Sequence, residues 1–381
     1  MTASAFGLMP ITRFFGFISV DWARLLRSGG LLIPVTPMKA PDLGIRIGLH
    51  EPGKRNSIAD LGVKVGHTTL IEGDDVRTGV TVVLPPVKNP FRERLFASTF
   101  VMNGFSKPIG FVQVDELGYI ETPVALTNTL SVYTVASAVV RHMIDLNPDL
   151  KSVSPVVMEC NDSYLNNIRK MAVKEDHYFE AVKNASLDFE EGAVGAGTGM
   201  SAFEFKGGIG SSSRVVEIGG EEYKVASLVL ANFGRREDLT IAGVPVGELL
   251  KDYPGRGTSG KGSISMVVAT DAPLTARQLK RLAKRAVVGL ARTGGYAYHG
   301  SGDIVLAFST AQTVPIGKEP ELVSFLPDNA LSYLFRATAE ATEEAIINAL
   351  LQAKTVEGNG HVRYALPVER VLETLKKNRA S

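Results

Sequence analysis

The 381-residue chain carries a single cysteine, Cys160. One thiol excludes an internal disulfide framework and any cysteine-based metal cluster, and it fits a reducing compartment. Histidine is sparse too: the six residues at 50, 67, 142, 177, 299 and 361 are scattered, with no pair at a spacing such as His-x-x-x-His. No sign of charge is in excess. The 41 basic and 40 acidic residues leave a formal charge of +1, which gives no reason to expect nucleic acid or an anionic membrane as partner. A long apolar run is also missing. Phe14–Val20 is apolar, but Asp21, Arg24 and Arg27 stop it well short of the ~20 residues that span a bilayer. Arg13 ahead of that run gives the outline of a signal peptide, yet its core is short and no small-residue cleavage site follows. Residues 1–37 read more plainly as a docking extension, or as an early start with Met38 as the true beginning. A cytoplasmic location is expected, with export left open by those 37 residues.

What is present describes an ordinary globule: 45% hydrophobic and 21% charged residues support a sizeable core. Residues 38–381 read as one large α/β domain, with no repeat, low-complexity segment or linker. Short β-type runs at 62–66 and 78–84 flank a Gly73-Asp74-Asp75 turn. Further strands are expected at 121–126, 155–159, 214–218, 223–231, 263–270 and about 303–309. Apolar residues at helical spacing predict helices over 131–146, 275–292, 328–353 and 367–377. Thr275-x-x-Gln278 has capping-box spacing, and Asp328 is the expected N-cap of the long helix. Early strands come in hairpin-like pairs, which argues for mixed sheets covered by helices and against a doubly wound parallel sheet.

The stretch around which the chain is organised is Gly257-Thr258-Ser259-Gly260-Lys261-Gly262-Ser263-Ile264-Ser265-Met266-Val267-Val268. A glycine-rich loop runs straight into an apolar β-branched segment. Gly255-x-x-x-x-Gly260-Lys261 matches most of a phosphate-binding loop, but Gly262 stands where Ser or Thr should bind magnesium. A strand also follows where that motif needs a helix N-terminus. Gly195-Ala196-Gly197-Thr198-Gly199 likewise misses the dinucleotide spacing, because Met200 takes the third glycine's place. No Gly-x-Ser-x-Gly elbow carries a serine between a strand and a helix. The basic run Arg277, Lys280, Arg281, Lys284, Arg285 lacks interleaved aromatics and reads as a solvated helix face.

An N-terminal nucleophile answers these absences. A serine hydroxyl needs a base. If the Gly262–Ser263 bond is cut, Ser263 gains an α-amine with a pKa of about 7.7–8.0, which can be that base. No histidine is then required, and none is well placed by the sequence. A plain turn at Gly-Ser remains the alternative reading of these residues alone.

Several segments together resemble the self-processing DmpA/BapA family of aminopeptidases. They are Asn56–His67, Val76–Thr81, Leu126–Thr129, Gly195–Gly199, Lys206–Gly210, Ala231–Gly234, Gly262–Ile264, Ala269–Pro273 and Ser301–Asp303. The resemblance runs from about residue 43 to the C-terminus. It implies a four-layer α/β/β/α sandwich of mixed sheets, cut into an α chain ending at Gly262 and a β chain starting at Ser263. It implies an aminopeptidase with no metal and no organic cofactor, assembled as a homo-oligomer such as a tetramer of αβ units. Carried over by motif, Ser263 would be the nucleophile, with Ser301 and Asp303 the hydroxyl-x-acid pair that orients it and its amine. Asn232 would donate to the oxyanion, and Glu159 would hold the substrate's ammonium group. Asn161 stands where some relatives carry a tyrosine lining the oxyanion region, so that part of the site departs from the pattern. The partner expected is a small peptide or amino-acid amide. Two alternatives are an amidase for ω-amino-acid amides on the same scaffold and an unprocessed protein that binds small amino compounds.

Overall fold

Alternating apolar patterns build two facing sheets, and helices close their outer sides. The computed structural model describes residues 38–255, 257, 262–316 and 322–379; the apolar run Phe14–Val20 and the loop residues Thr258–Lys261 lie outside them. One sheet holds β1 (Lys64–Glu72), β2 (Val76–Leu84), β5 (Val124–Asn128) and β6 (Val156–Cys160), in that order. The other is ordered β4 (Tyr119–Ile120), β3 (Leu95–Gly104), β12 (Gly302–Thr313), β11 (Ser263–Thr270), β10 (Glu221–Asn232) and β9 (Gly208–Ile218). Both sheets are mixed: β5–β6 and β11–β12 are parallel, and the remaining neighbours are antiparallel. Two small hairpins complete the strands, β7 (Ser201–Ala202) with β8 (Phe205–Lys206) and β13 (Val356–Gly358) with β14 (His361–Arg363).

The helices are α1 (Phe111–Leu117), α2 (Val132–Leu146), α3 (Glu175–Lys183), α4 (Val246–Leu249), α5 (Ala276–Arg292), α6 (Leu331–Leu351) and α7 (Val368–Arg379). α2 and α3 cover the first sheet, where Val132, Val135, Val139 and Tyr178 pack on Val80, Val82, Ala125 and Val157. Between the sheets, Val65, Val83, Leu126 and Met158 meet Leu228, Leu230, Val267 and Leu306. Beyond the second sheet, Ile264, Met266 and Val268 pack with Leu279, Leu282, Ala286, Ile346 and Leu350 of α5 and α6. The result is the expected α/β/β/α sandwich. Strand alternation explains it, since β11 sends even positions to the helices and odd positions to the space between the sheets.

Two expectations need correcting, and one strand was not foreseen. Asp328 does not cap the long helix; it opens a single 3-10 turn (Asp328–Ala330), and its carboxylate accepts from Arg277 (2.7 Å) and Gln278 (2.9 Å) instead. β9 begins at Gly208, ahead of the strand expected at 214–218, because the small residues Gly208–Ser213 are buried strand as well. β3 was not foreseen, since buried Ser98 and Thr99 give it little apolar periodicity. Thr275 and Gln278 do form the capping box of α5. The basic run on that helix is partly paired within the chain: Arg277 and Arg281 share Asp328, Lys280 meets Asp115, and Arg285 lies 3.9 Å over the Phe335 ring.

α6 lies almost wholly buried between α5 and the sheet. Its Ala337, Ala341, Ala345 and Ala349, four apart, keep the helix surface low, and it presses so closely on β9 that a Cβ at Gly210 would lie 2.0 Å from the Ala345 carbonyl oxygen. Gly210→Ala is therefore expected to cost about 1–3 kcal/mol through overpacking. Thermal unfolding followed by circular dichroism checks this, and an unchanged midpoint would show that α6 can retreat freely.

Candidate active site

Ser263 is the first residue of β11, and strand register fixes its neighbours. Asn232 lies opposite it on antiparallel β10, and Gly302 opposite it on parallel β12. A single row across three strands thus holds Asn232, Ser263 and Gly302, with Ser301 and Asp303 flanking the last. All five are buried. The residue before Ser263 has to be glycine here, since a Cβ on Gly262 would sit 2.6 Å from the Asn232 carbonyl oxygen and the Phe233 Cα.

The Ser263 hydroxyl is folded back on the peptide that precedes it. Its Oγ donates to the Gly262 carbonyl oxygen at 2.7 Å. The Gly302 N–H points at both atoms, 3.2 Å from Ser263 Oγ and 3.2 Å from Gly262 O. That backbone donor has no side-chain signature, so motif reasoning missed it. Asn103, near the end of β3, was missed for a similar reason. Its Nδ2 donates to the carbonyls of Ser301 (2.6 Å) and Tyr298 (3.0 Å), fixing the turn that leads into β12.

Ser301 and Asp303 are joined as their i, i+2 spacing allows: Ser301 Oγ donates to Asp303 Oδ1 at 2.9 Å. Asp303 Oδ2 is buried and has no hydrogen-bond partner among the described residues. Burial pushes the Asp303 pKa up to about 6, opposed by the Ser301 hydrogen bond.

Asn232 is held at both ends of its amide. Its Oδ1 accepts from the Ser201 N–H (2.8 Å), and its Nδ2 donates to the Asn161 carbonyl (2.9 Å). An amide NH2 carries two donors, so one N–H stays unused by the described residues. Asn161 enters the site through this carbonyl. Its side chain is occupied locally, accepting from the Ser163 N–H at 3.0 Å.

Glu159 comes from the other sheet, near the end of β6, and is buried. Its Oε1 accepts from Ser106 Oγ (2.8 Å) and the Lys107 N–H (2.9 Å), and its Oε2 accepts from Thr129 Oγ1. Ser106 and Lys107 were not among the expected site residues; Thr129 lay in one of the family-like segments without a role.

Glu159, Asn161, Asn232, Gly262 and Ser263 all line one cleft of about 780 Å³. That volume lies within the range typical of small-ligand sites. Ser301 and Asp303 stand behind Ser263 and do not line it. His299, His361, Tyr164, Ser201, Glu204 and Arg363 do, so two of the six histidines reach the cleft where the sequence placed none. A larger cleft of about 1020 Å³, lined by Lys39, Arg55, Glu190 and Glu191, holds none of the expected residues.

The raised pKa of Asp303 has a consequence for stability. An acid whose folded pKa lies above its ordinary 3.8 binds more protons folded than unfolded, so the cost of ionising it is fully present above about pH 6 and is relieved as pH falls below it. Asp303→Asn is expected to raise the melting temperature of the uncut chain more at pH 8 than at pH 4.5. Equal shifts at the two pH values would refute the buried unpaired carboxylate.

Comparison with known proteins gives the chain's family and fold. Residues 56–363 match the model of peptidase family S58. The chain is 42% identical to the beta-peptidyl aminopeptidase BapA of Sphingosinicella microcystinivorans over 368 residues, covering 90% of this chain and 92% of that one. Among solved structures, the PH0078 protein of Pyrococcus horikoshii OT3 superposes with a TM-score of 0.87 at 59% identity, over 90% of this chain and 99% of that one. The L-aminopeptidase D-Ala-esterase/amidase of Ochrobactrum anthropi, described as a variant of the Ntn hydrolase fold, gives 0.84 at 37% identity, over 90% and 99%. The family match and the shared architecture leave one assignment: the chain belongs to peptidase family S58.

Proposed function

We propose that the chain cuts its own Gly262–Ser263 bond and then works as an aminopeptidase through Ser263. Family membership makes it a serine aminopeptidase of the N-terminal-nucleophile type; the cut site and the residue roles are those the resemblance implies, and this chain's geometry supports them. The observation that carries the reading is the position of Ser263 Oγ, 2.7 Å from the carbonyl oxygen of the preceding residue, with the Gly302 N–H directed at both oxygens.

In self-cleavage, Oγ attacks the Gly262 carbonyl carbon, the C–N bond breaks, and an ester joins Gly262 to Ser263 while the freed nitrogen takes up the hydroxyl proton. Water then hydrolyses the ester, leaving Gly262 with a carboxylate. The Gly302 N–H is aimed where the oxyanion develops, and such a donor is typically worth about 10²–10³ in rate. In catalysis the same oxygen attacks the substrate carbonyl. The new α-amine takes its proton and returns it to the leaving amine, and water resolves the acyl-enzyme. Asn232 serves the oxyanion with its unused N–H, the Ser301–Asp303 pair orients Ser263 and its amine, and Glu159 holds the substrate ammonium.

The substrates that suit Glu159 are peptides or amino-acid amides with a free amino end. On this reading residues 38–381 act as one catalytic domain, placed in the cytoplasm, with which a single unpaired thiol, Cys160, is compatible. Among the described residues no helix is long and apolar enough to cross a membrane. Assembly into oligomers fits the exposed Val101, Met102, Phe105, Val112 and Leu117 around the end of β3 and α1.

Purified protein is expected to run on denaturing gels as two fragments of about 28 and 13 kDa, at ~0.107 kDa per residue, with Ser263 at the second amino terminus. Ser263→Ala should leave one intact, inactive chain; a Ser263→Ala variant that still cleaves amino-acid p-nitroanilides would point to another nucleophile. Glu159→Gln is expected to lower kcat/KM for free-amino substrates by about 10- to 100-fold, the range for a charge-assisted hydrogen bond. Unchanged discrimination against N-acetylated substrates would remove Glu159 from its role.

A further inference from the structure

The cleft has a second charged end that no step above uses. Arg363, the last residue of β14, lines it while only 3% exposed. Its guanidinium lies 3.7 Å over the Tyr164 ring, and Tyr164 in turn stacks on His361 at 4.3 Å. Nη1 donates to the Gly255 carbonyl (2.6 Å) and Nε to Ser201 Oγ (3.1 Å). An arginine carries five N–H donors, so three find no acceptor among the described residues. Neither of these two bonds is to a carboxylate. Glu204, an acid of the same wall, lies 3.9 Å from Arg236 Nε, and its charge acts on Arg363 as well. Burial disfavours the charge and holds the Arg363 pKa below its ordinary value, opposed by Tyr164 and Glu204. A desolvated guanidinium with a free fork of donors is suited to a carboxylate.

Its place relative to the reacting atoms follows from strand order. On the β12 side of Ser263, a Cβ on Gly302 would lie 2.5 Å from Ser106 Cβ, and Ser106 holds Glu159. On the β10 side, Asn232 bonds Ser201, and Ser201 bonds Arg363. Glu159 and Arg363 therefore flank the Gly302–Ser263–Asn232 row on opposite sides. The acid matches the ammonium of a short peptide, the row its scissile carbonyl, and the base whatever lies beyond.

We propose that Arg363 binds the α-carboxylate of the leaving residue, so that the enzyme favours zwitterionic dipeptides over the same peptides amidated at the C-terminus. This rests on the roles given to Ser263 and Glu159. Tyr164 and His361 keep the guanidinium flat and in place from one side.

The test compares a dipeptide with its C-terminal amide, using as first residue the one cleaved fastest as a p-nitroanilide. Wild-type enzyme is expected to favour the free acid by about tenfold or more in kcat/KM, mainly through KM, as for a charge-assisted hydrogen bond. Arg363→Met should bring that ratio close to one. Arg363→Lys, which keeps the charge but loses the fork, should give an intermediate ratio and serves if the methionine variant does not fold. A wild-type ratio of one, or a ratio moved by neither variant, overturns the proposal. Failure of the underlying reading is distinct: it would show as p-nitroanilide hydrolysis surviving in Ser263→Ala.

Discussion

The site depends on how tightly the start of β11 is clamped between two strands. At Gly262 the backbone passes so close to the end of β10 that no side chain fits, while β12 on the other side supplies the Gly302 N–H. This clamp leaves Ser263 few ways to turn. Its hydroxyl is placed over the preceding carbonyl by sheet register, an arrangement as rigid as the ladder itself and free of loop entropy. Parallel pairing of β11 with β12 is what aligns Ser301 and Asp303 with the serine, since an antiparallel neighbour in that position would bring another part of the strand there.

A second constraint sets the distance to Glu159. That residue belongs to the other sheet, so its position relative to Ser263 is governed by how the two sheets pack. Polar contacts assist the apolar layer here. Ser265 Oγ donates to the Glu159 carbonyl at 3.1 Å, and the Cys160 thiol donates to the Leu230 carbonyl at 3.4 Å. The lone cysteine thus acts as a small buried donor across the sheet interface, and burial keeps its pKa well above the usual thiol value. Small changes in the layer between the sheets would alter the distance from Glu159 to Ser263.

Much of the architecture could be read from residue patterns, and the exceptions share a cause. Apolar periodicity placed α2, α5 and β11 closely, because packing of one face decides those elements. It missed β3 and the first half of β9, where small polar residues and glycine are buried by hydrogen bonds and close backbone approach. The site divides in the same way. Ser263, Asn232, Glu159, Ser301 and Asp303 stood out through the family resemblance, and the fold gathers them. Gly302's N–H, Asn103, Ser106 and Arg363 did not. A backbone donor has no letter of its own, and the others arrive from segments remote in sequence. Asp328 failed as a cap for a related reason: two partners on α5 compete for its carboxylate.

Asp303 carries an electrostatic cost that the proposed self-cleavage would relieve. It is buried, one of its oxygens has no hydrogen-bond partner among the described residues, and its pKa is raised to about 6, an unfavourable state for a carboxylate near neutral pH. On the proposed reading, cleavage turns the neutral peptide nitrogen of Ser263 into an ammonium on the adjacent strand. A cation there would favour the ionised acid and draw the Asp303 pKa back down, while the carboxylate would raise that of the amine. The mature site would then be more stable than its precursor around neutrality without new packing. On the same reading the carboxylate would accept an N–H of the amine once it has lost its extra proton and so hold the nitrogen lone pair for use as base, and the cost before cleavage and the order after it would arise from one buried acid.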